Sequence, residues 1–344
     1  MISRRSGTDC YSAFSYRGCA ATLRNRLWRQ EKVSKLRCCI AVMAYNEEAN
    51  VRNLLEALCG QRLQKAEIAE IVVVASGCHD HTEDIVRQFC ERDSRIRLIS
   101  EETRRGKSSA INTLLRRTQE EIIVLANADN VPAPDAIEHL LAPFTDPIVG
   151  MTGGHPLPTN NTDTFMGYAV HLLWVLHHRI SLRKPKMGEL IAFRNFFHQI
   201  PPESAVDEAS IEPLIRGQGL QIRYAPEAIV YNHGPTTARD FLRQRRRIYA
   251  GHVYVRDTLG YRVSTMKGIR ILWLLLTSPG VKRNWQYFCY VPAIMALEAY
   301  ARFRGMMDYR LWKRMHTVWE VAETTKVTIA PALSDSAGVQ QTLS

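Results

Sequence analysis

A single carboxylate, Asp129, stands just past the apolar run Ile122–Ala126, inside the stretch Asn127-Ala128-Asp129-Asn130. The run reads as a buried strand. Pro132 and Pro134 then break the chain, and Asp135 opens an amphipathic helix. An acidic residue at the carboxyl end of a strand, in an α/β pattern, sits where open sheets bind ligands. Its oxygens can hold a hard divalent cation, Mg²⁺ or Mn²⁺, and the cation can hold a diphosphate. A plain strand-to-helix turn with an Asx cap would use the same residues, so the neighbouring elements decide.

Those elements alternate. Strands are expected at Cys38–Ala44, Glu70–Ala75, Arg97–Ser100 and Ile122–Ala126. Helices are expected at Glu47–Leu58, Glu83–Cys90, Ser108–Arg117 and Asp135–Leu141. The first helix carries apolar residues at Val51, Leu54, Leu55 and Leu58. Strand–helix repeats at this pace mean a parallel sheet covered on both faces. Right-handed crossovers then gather three polar clusters along one edge: Ala44–Glu47, Ser76–Asp80 and Asn127–Asp129. Three such clusters at strand ends describe a nucleotide crevice. No Gly-x-Gly-x-x-Gly follows the first strand and there is no Walker loop, so the dinucleotide and P-loop classes are set aside.

The chain has 344 residues, 46% hydrophobic and 23% charged, with a formal charge of +11. That is the composition of a folded protein. The positive charge concentrates in residues 1–37 and 239–314, which suggests a phosphate-bearing partner. We favour a nucleotide diphosphate and an anionic membrane surface over nucleic acid. The eight cysteines have no paired spacing and no zinc pattern. Cys59, Cys90 and Cys289 lie among apolar residues and are expected to be buried thiols. His171, His177 and His178 lie in an aromatic-apolar stretch and read as packing residues. Met1–Arg37 lacks an apolar core, so it reads as a poorly ordered basic extension rather than a leader. No stretch reaches the roughly 18 uncharged apolar residues of a spanning helix. Ile269–Leu276 and Tyr287–Leu297, separated by Ser278-Pro279-Gly280, read as helices lying on a membrane surface.

Six segments together resemble a known family. They are AVMAYNEEANVRNLLEAL, EIVVVASGCHDHTEDI, RGKSSAINTLL, VLANADNVPAPDAIEHL, GELIAFRN, and the long block from Val206 to Ile248. In this order and spacing the chain resembles a family 2 glycosyltransferase of the GT-A fold, from about Cys38 to Lys326. The resemblance implies a mostly parallel nucleotide-binding sheet flanked by helices. It divides the chain into a catalytic domain at 38–262, with a nucleotide-sugar half (38–150) and an acceptor half (151–262). Interfacial helices at 263–326 and a flexible tail at 327–344 follow. The DxD metal site becomes Asn127-Ala128-Asp129, with an amide in place of the first acid. The Q-x-x-R-W element becomes Gln244 to Ile248, without its aromatic residue.

The resemblance also implies roles. Asp129 would ligate the metal. Lys107 and Arg247 would receive charge on the leaving diphosphate, with Asn127 and Gln244 beside them. Tyr45, Glu47, Ser76 and Asp80 would meet the nucleoside. An inverting displacement needs one general base, and Asp207 and Glu208 are the candidates. Adjacent helical residues point about 100° apart, so only one can aim at the acceptor. Counting back from Gly219 favours Glu208, with Asp207 orienting the site. Asn46 reads as the cap of the first helix. Arg245 and Arg246 read as a solvated basic face.

The expected activity is metal-assisted transfer of one or a few sugars from a nucleotide-diphospho-sugar, a UDP-sugar by preference. The acceptor would be a lipid-linked or envelope glycan, met at the cytoplasmic face of a membrane by a peripheral or monotopic protein. A nucleotidyltransferase and a noncatalytic basic membrane-binding module are the competing readings.

Overall fold

Four parallel strands carry the amino-terminal half of the molecule. The structure, a computed structural model, describes residues 35–266, 268–277, 284–314, 316–318 and 324. Strands β1 (Leu36–Ala44), β2 (Ala66–Ser76), β3 (Ile96–Glu101) and β4 (Ile122–Asn127) alternate with helices α1 (Val51–Cys59), α2 (Thr82–Arg92) and α3 (Lys107–Leu115). They stand in the order β3-β2-β1-β4, paired in parallel. Successive residues of a strand face opposite sides, and each side has its own core. Ile40, Val42, Ile71 and Val73 pack with Leu54, Leu55 and Leu58 of α1. Cys39, Ala41, Val72 and Val74 pack with Ile111 and Leu114 of α3. Burial on both faces is why these strands are apolar throughout rather than alternating.

The second half adds β5 (Val131–Pro132), α4 (Ala136–Leu141), β6 (Val149–Pro158), α5 (Phe165–Ser181), β7 (Leu190–Arg194), α6 (Asp207–Gly217) and β8 (Gln221–Asn232). Helices α7 (Ala238–Leu259), α8 (Gly268–Thr277) and α9 (Trp285–Arg310) follow. The sheet runs on without a break as β3-β2-β1-β4-β7-β6-β8-β5. Here β7 pairs antiparallel with β4 and β6, while β6 and β8 are parallel. The two expected halves therefore share one sheet. A third core joins Met166, Leu172 and Leu176 of α5 to Phe241 of α7, Leu274 and Leu275 of α8, and Tyr287, Val291 and Ile294 of α9.

Several expectations change. Helix α1 begins at Val51 after Asn50, not at Glu47. Asn46 does not cap it. Asn46 sits in the left-handed region (φ 52°) and its Oδ1 accepts from the His79 N–H at 2.9 Å. The first strand starts at Leu36, inside the expected basic extension. Cys59 and Cys289 are exposed and Cys90 is half-buried, because each lies off the buried stripe of its helix. The remainder of the extension, the tail at 327–344, Lys267 and the Ser278-Pro279-Gly280 turn lie outside the described residues.

Arg245 and Arg246 are not a solvated face. Arg245 donates to Glu298 at 2.7 and 2.9 Å, and Arg302 donates to the same carboxylate at 2.8 Å. Arg246 pairs with Asp308, whose other partner is His316 at 2.9 Å. Gly305 makes this contact possible, since a Cβ there would collide with the Arg246 carbonyl oxygen. These pairs fasten α9 to α7. Asp308 is fully buried. Breaking a buried pair from one side leaves an uncompensated charge. Arg246→Leu is therefore expected to lower folding stability by about 3 kcal/mol. Urea unfolding of the variant against the parent checks this; an unchanged midpoint would reject the clamp.

Candidate active site

The carboxyl ends of β1, β2 and β4 open into a cavity of about 700 Å³. Its floor is a chain of polar side chains. Lys107, at the first position of α3, donates to Asn127 Oδ1 at 2.7 Å and pairs with Asp207 at 2.8 Å. The Asn127 amide donates in turn to Glu189 at 2.5 Å, and Asn130 reaches the same oxygen at 3.3 Å. Burial works against the Lys107 ammonium, but Asp207 and Glu208 outweigh it and hold its pKa above the ordinary lysine value. The lysine stays charged.

Asp129 faces the same cavity. Burial first, then the charges of Glu47 and Glu189, lift its pKa well above the usual carboxylate range. Negative potential concentrated in this way is what a hard divalent cation relieves. Among the described residues, no three His, Cys, Asp or Glu side chains converge closely enough to hold a metal unaided. The residues fit a cation that Asp129 would hold and whose remaining ligands a bound diphosphate would supply.

Helix α6 starts at Asp207 and brings Asp207 and Glu208 to the cavity wall. The two carboxylates separate electrostatically. Burial opposes Asp207 ionisation, but Lys107 and a hydrogen bond from Glu208 prevail, so Asp207 lies below the usual range. Burial and the Asp207 charge push Glu208 the other way, to about 8. Asp207 is the fixed anion and Glu208 the group whose proton can move.

Gln244 and Arg247 of α7 line the cavity, three residues apart on one helical face. Burial lowers Arg247 to about 10, against the pull of Glu208, Asp207, Glu189 and Asp129. Tyr45, Glu47 and Ser76 also line the cavity. The Tyr45 ring carries the Arg104 guanidinium 3.6 Å above its face, and Ser76 donates to Glu101 at 2.7 Å. Asp80 is not brought to the cavity. Its carboxylate accepts from Thr82 N–H, the Thr82 hydroxyl and Glu48 N–H, at 3.1, 2.6 and 3.1 Å. It shapes the turn into α2, and the expected nucleoside contact falls away with its oxygens so occupied. Glu189 was not among the expected site residues. The signal was there: an acidic residue at the edge of an apolar strand, as with Asp129.

The glycosyl transferase family 2 model matches residues 39–212, which run from within β1 to the middle of α6 and include every polar group of the cavity floor. The chain belongs to glycosyl transferase family 2. It is 24% identical over 244 residues to the probable glycosyltransferase YdaM of Bacillus subtilis, covering 66% of this chain and 58% of YdaM. It is 23% identical over 259 residues to the poly-beta-1,6-N-acetyl-D-glucosamine synthase of Staphylococcus aureus, covering 71% and 61%. The chain thus spans about three-fifths of the length of these relatives. Among solved structures, the mannosyltransferase PcManGT from Pyrobaculum calidifontis, in complex with GDP-Man and Mn²⁺, superimposes with a TM-score of 0.53 at 21% identity. That alignment covers 87% of this chain and 89% of PcManGT, and it shows a shared GT-A fold. Within this family 2 glycosyltransferase, the amide at Asn127 is held between Lys107 and Glu189. A second carboxylate is thus present, contributed by the start of β7 rather than by the end of β4.

Proposed function

We propose that the protein transfers a sugar, with inversion at the anomeric carbon, from a nucleoside-diphospho-sugar to a lipid-linked or envelope glycan acceptor. One observation carries this reading. A single cavity joins the cations Lys107 and Arg247, the strand-end acid Asp129, and a carboxyl at Glu208 whose pKa suits proton transfer.

The steps follow from those groups. Ionised Glu208 takes the proton of the acceptor hydroxyl. The freed oxygen attacks the anomeric carbon as its bond to the diphosphate breaks. Negative charge grows on the diphosphate, and Lys107 and Arg247 receive it. Asp207, fixed by Lys107, keeps the neighbouring carboxyl oriented. Asp129 would hold a Mg²⁺ or Mn²⁺ ion, which would supply further positive charge against the leaving diphosphate. A UDP-sugar is the first donor to try, and GDP-mannose the second, given the ligand of PcManGT. The test is a panel of nucleotide sugars, with released nucleoside diphosphate measured with and without Mn²⁺. Metal-dependent release from one donor supports the reading. No release and no nucleotide binding would end it, in favour of a noncatalytic module.

The membrane part of the proposal rests on α8 and α9. Leu272, Trp273, Leu276, Trp285, Phe288 and Phe303 are exposed large apolar side chains, outside the core beneath them. Arg183 lies over the Trp273 ring at 5.3 Å. Exposed aromatic residues with arginine alongside suit the headgroup region of an anionic bilayer. Among the described residues, no helix is long and apolar enough to cross a membrane. Attachment should have two parts: a salt-sensitive one of about 1 kcal/mol per basic residue near the surface, and a salt-resistant one from the apolar side chains. In sedimentation with anionic vesicles over a salt series, partial release is expected. Protein wholly in the supernatant at low salt would refute attachment.

A further inference from the structure

One polar side chain on the cavity wall has no role in the chemistry above. Asn232 ends β8, is only 6% exposed and lines the cavity. Its Oδ1 makes no hydrogen bond among the described residues. The groups around it are committed elsewhere. The Asn232 carbonyl oxygen accepts from the Thr159 N–H at 2.9 Å and from the Thr159 hydroxyl at 3.3 Å. His233 Nδ1 meets the same hydroxyl at 3.1 Å. The Asn160 amide closes a reciprocal pair with the Gly234 backbone, at 2.8 and 2.9 Å. These bonds hold the backbone at Asn232 and just beyond it without calling on the Asn232 side chain. A buried amide oxygen left unpaired lowers folding stability, so an asparagine kept in that state needs a reason. Its position supplies one. Strands β5 and β8 pair antiparallel, with Val131 opposite Tyr231. One step along the same register, Asn232 lies across from Asn130, the residue after Asp129. The Asn130 amide is itself committed to Glu189.

We infer that Asn232 reads a hydroxyl group of the transferred sugar and so sets donor specificity. The inference rests on the donor reading given above. In that reading Asp129 would hold the cation of the diphosphate, and the sugar is the group joined to the diphosphate. The corner formed by Asp129, Asn130 and Asn232 is then where the sugar belongs. A primary amide offers an acceptor oxygen and two N–H donors in one plane, and a sugar hydroxyl both donates and accepts. The hydroxyl satisfies the oxygen that the protein leaves open. A cation would use the oxygen alone, and the test separates the two. A site that bonds a substrate hydroxyl rejects an analogue lacking it, because its own buried polar group is then left unpaired.

The test uses the full chain with Mn²⁺ and the variant Asn232→Leu, which keeps a side chain of similar shape and removes the amide. Calorimetry reads the binding of the nucleotide-sugar panel and of the matching nucleoside diphosphates. The nucleotide sugar that the parent binds should bind Asn232→Leu about 10- to 100-fold more weakly, the scale of a lost buried hydrogen bond. Its nucleoside diphosphate should bind parent and variant equally, which also shows that the variant folds. Without ligand, Asn232→Leu should melt at a higher temperature than the parent, since the unpaired polar group is gone. Deoxy analogues of the sugar identify the hydroxyl: the one whose loss weakens binding to the parent should cost nothing in the variant. Equal weakening of nucleotide sugar and nucleoside diphosphate would mark a ligand of the metal or the diphosphate and overturn the inference. Unchanged affinity for both, with a lower melting temperature, would mark a structural asparagine and overturn it as well. Either result leaves the donor reading standing. A parent that binds no nucleotide sugar and no nucleoside diphosphate would end the donor reading and this inference with it, so the two failures are distinct.

Discussion

Asp129→Ala is expected to remove the metal dependence of nucleotide-sugar binding and to lower kcat/KM by at least about 10³. Asp129 is the acid that the end of β4 presents to the cavity, and burial with Glu47 and Glu189 makes its charge costly unless a cation is present. Removing it relieves the apo protein while depriving the diphosphate of its metal. The variant should therefore fold at least as well as the parent and yet be inactive. Titrating Mn²⁺ against nucleotide affinity, with a chelator control, reads this directly. Nucleotide affinity of the parent unchanged by chelator, and unchanged again in Asp129→Ala, would dismiss the metal site. Asn127→Asp provides the complementary result. Its new carboxylate keeps Lys107 but meets Glu189 where the amide donated at 2.5 Å. The variant should be less stable without metal and gain more from added Mn²⁺ than the parent does.

Glu208→Gln should cut turnover by about 10²–10⁴ and leave nucleotide affinity near normal, because the amide keeps the shape but cannot take a proton. The pH profile adds a second signature. Glu208 acts only when ionised, and burial with the Asp207 charge holds it neutral to about 8. Activity of the parent should climb as pH rises toward that value. The residual activity of the variant should lack this limb. Stability runs in the opposite sense. The folded-state pKa is raised, so between the ordinary glutamate value and about 8 the native state holds a proton that the unfolded state has lost. Stability therefore falls as pH rises through that window. Glu208→Gln has no such proton, so its melting temperature should exceed that of the parent at pH 8. If Asp207→Asn is inactive and Glu208→Gln turns over normally, the two roles are exchanged.

The nucleotide-binding half was legible because its signals are local. Continuous apolar runs such as Ile71-Val72-Val73-Val74 give buried strands wherever they occur, and the polar ends fall on one edge by chirality. Asp129 was legible from the strand it follows, whereas Lys107, Asp207 and Arg247 were proposed from the family resemblance, and the structure brings all four to one cavity. What escaped depends on pairing across long sequence separations. The antiparallel turn at β7 placed Glu189 against Asn127, 62 residues away, and no spacing rule links them. Arg245 and Arg246 looked like a surface stripe because Glu298 and Asp308 lie more than 50 positions on. Asp80 had the right chemistry, but its neighbours Thr82 and Glu48 took its oxygens.

The polar floor from Glu189 through Asn127 and Lys107 to Asp207 runs without interruption between the proposed metal end and the proposed proton-transfer end of the cavity. Side chains linked in this way exchange charge as one unit, so the two ends are thermodynamically coupled. Energetic effects of substitutions at Glu189 and at Asp207 should not add, although their partners sit on different strands and helices. Under the proposed roles, donor and acceptor specificity would therefore not be independent traits. A lineage that retuned one end would have to adjust Lys107, the residue the two ends share.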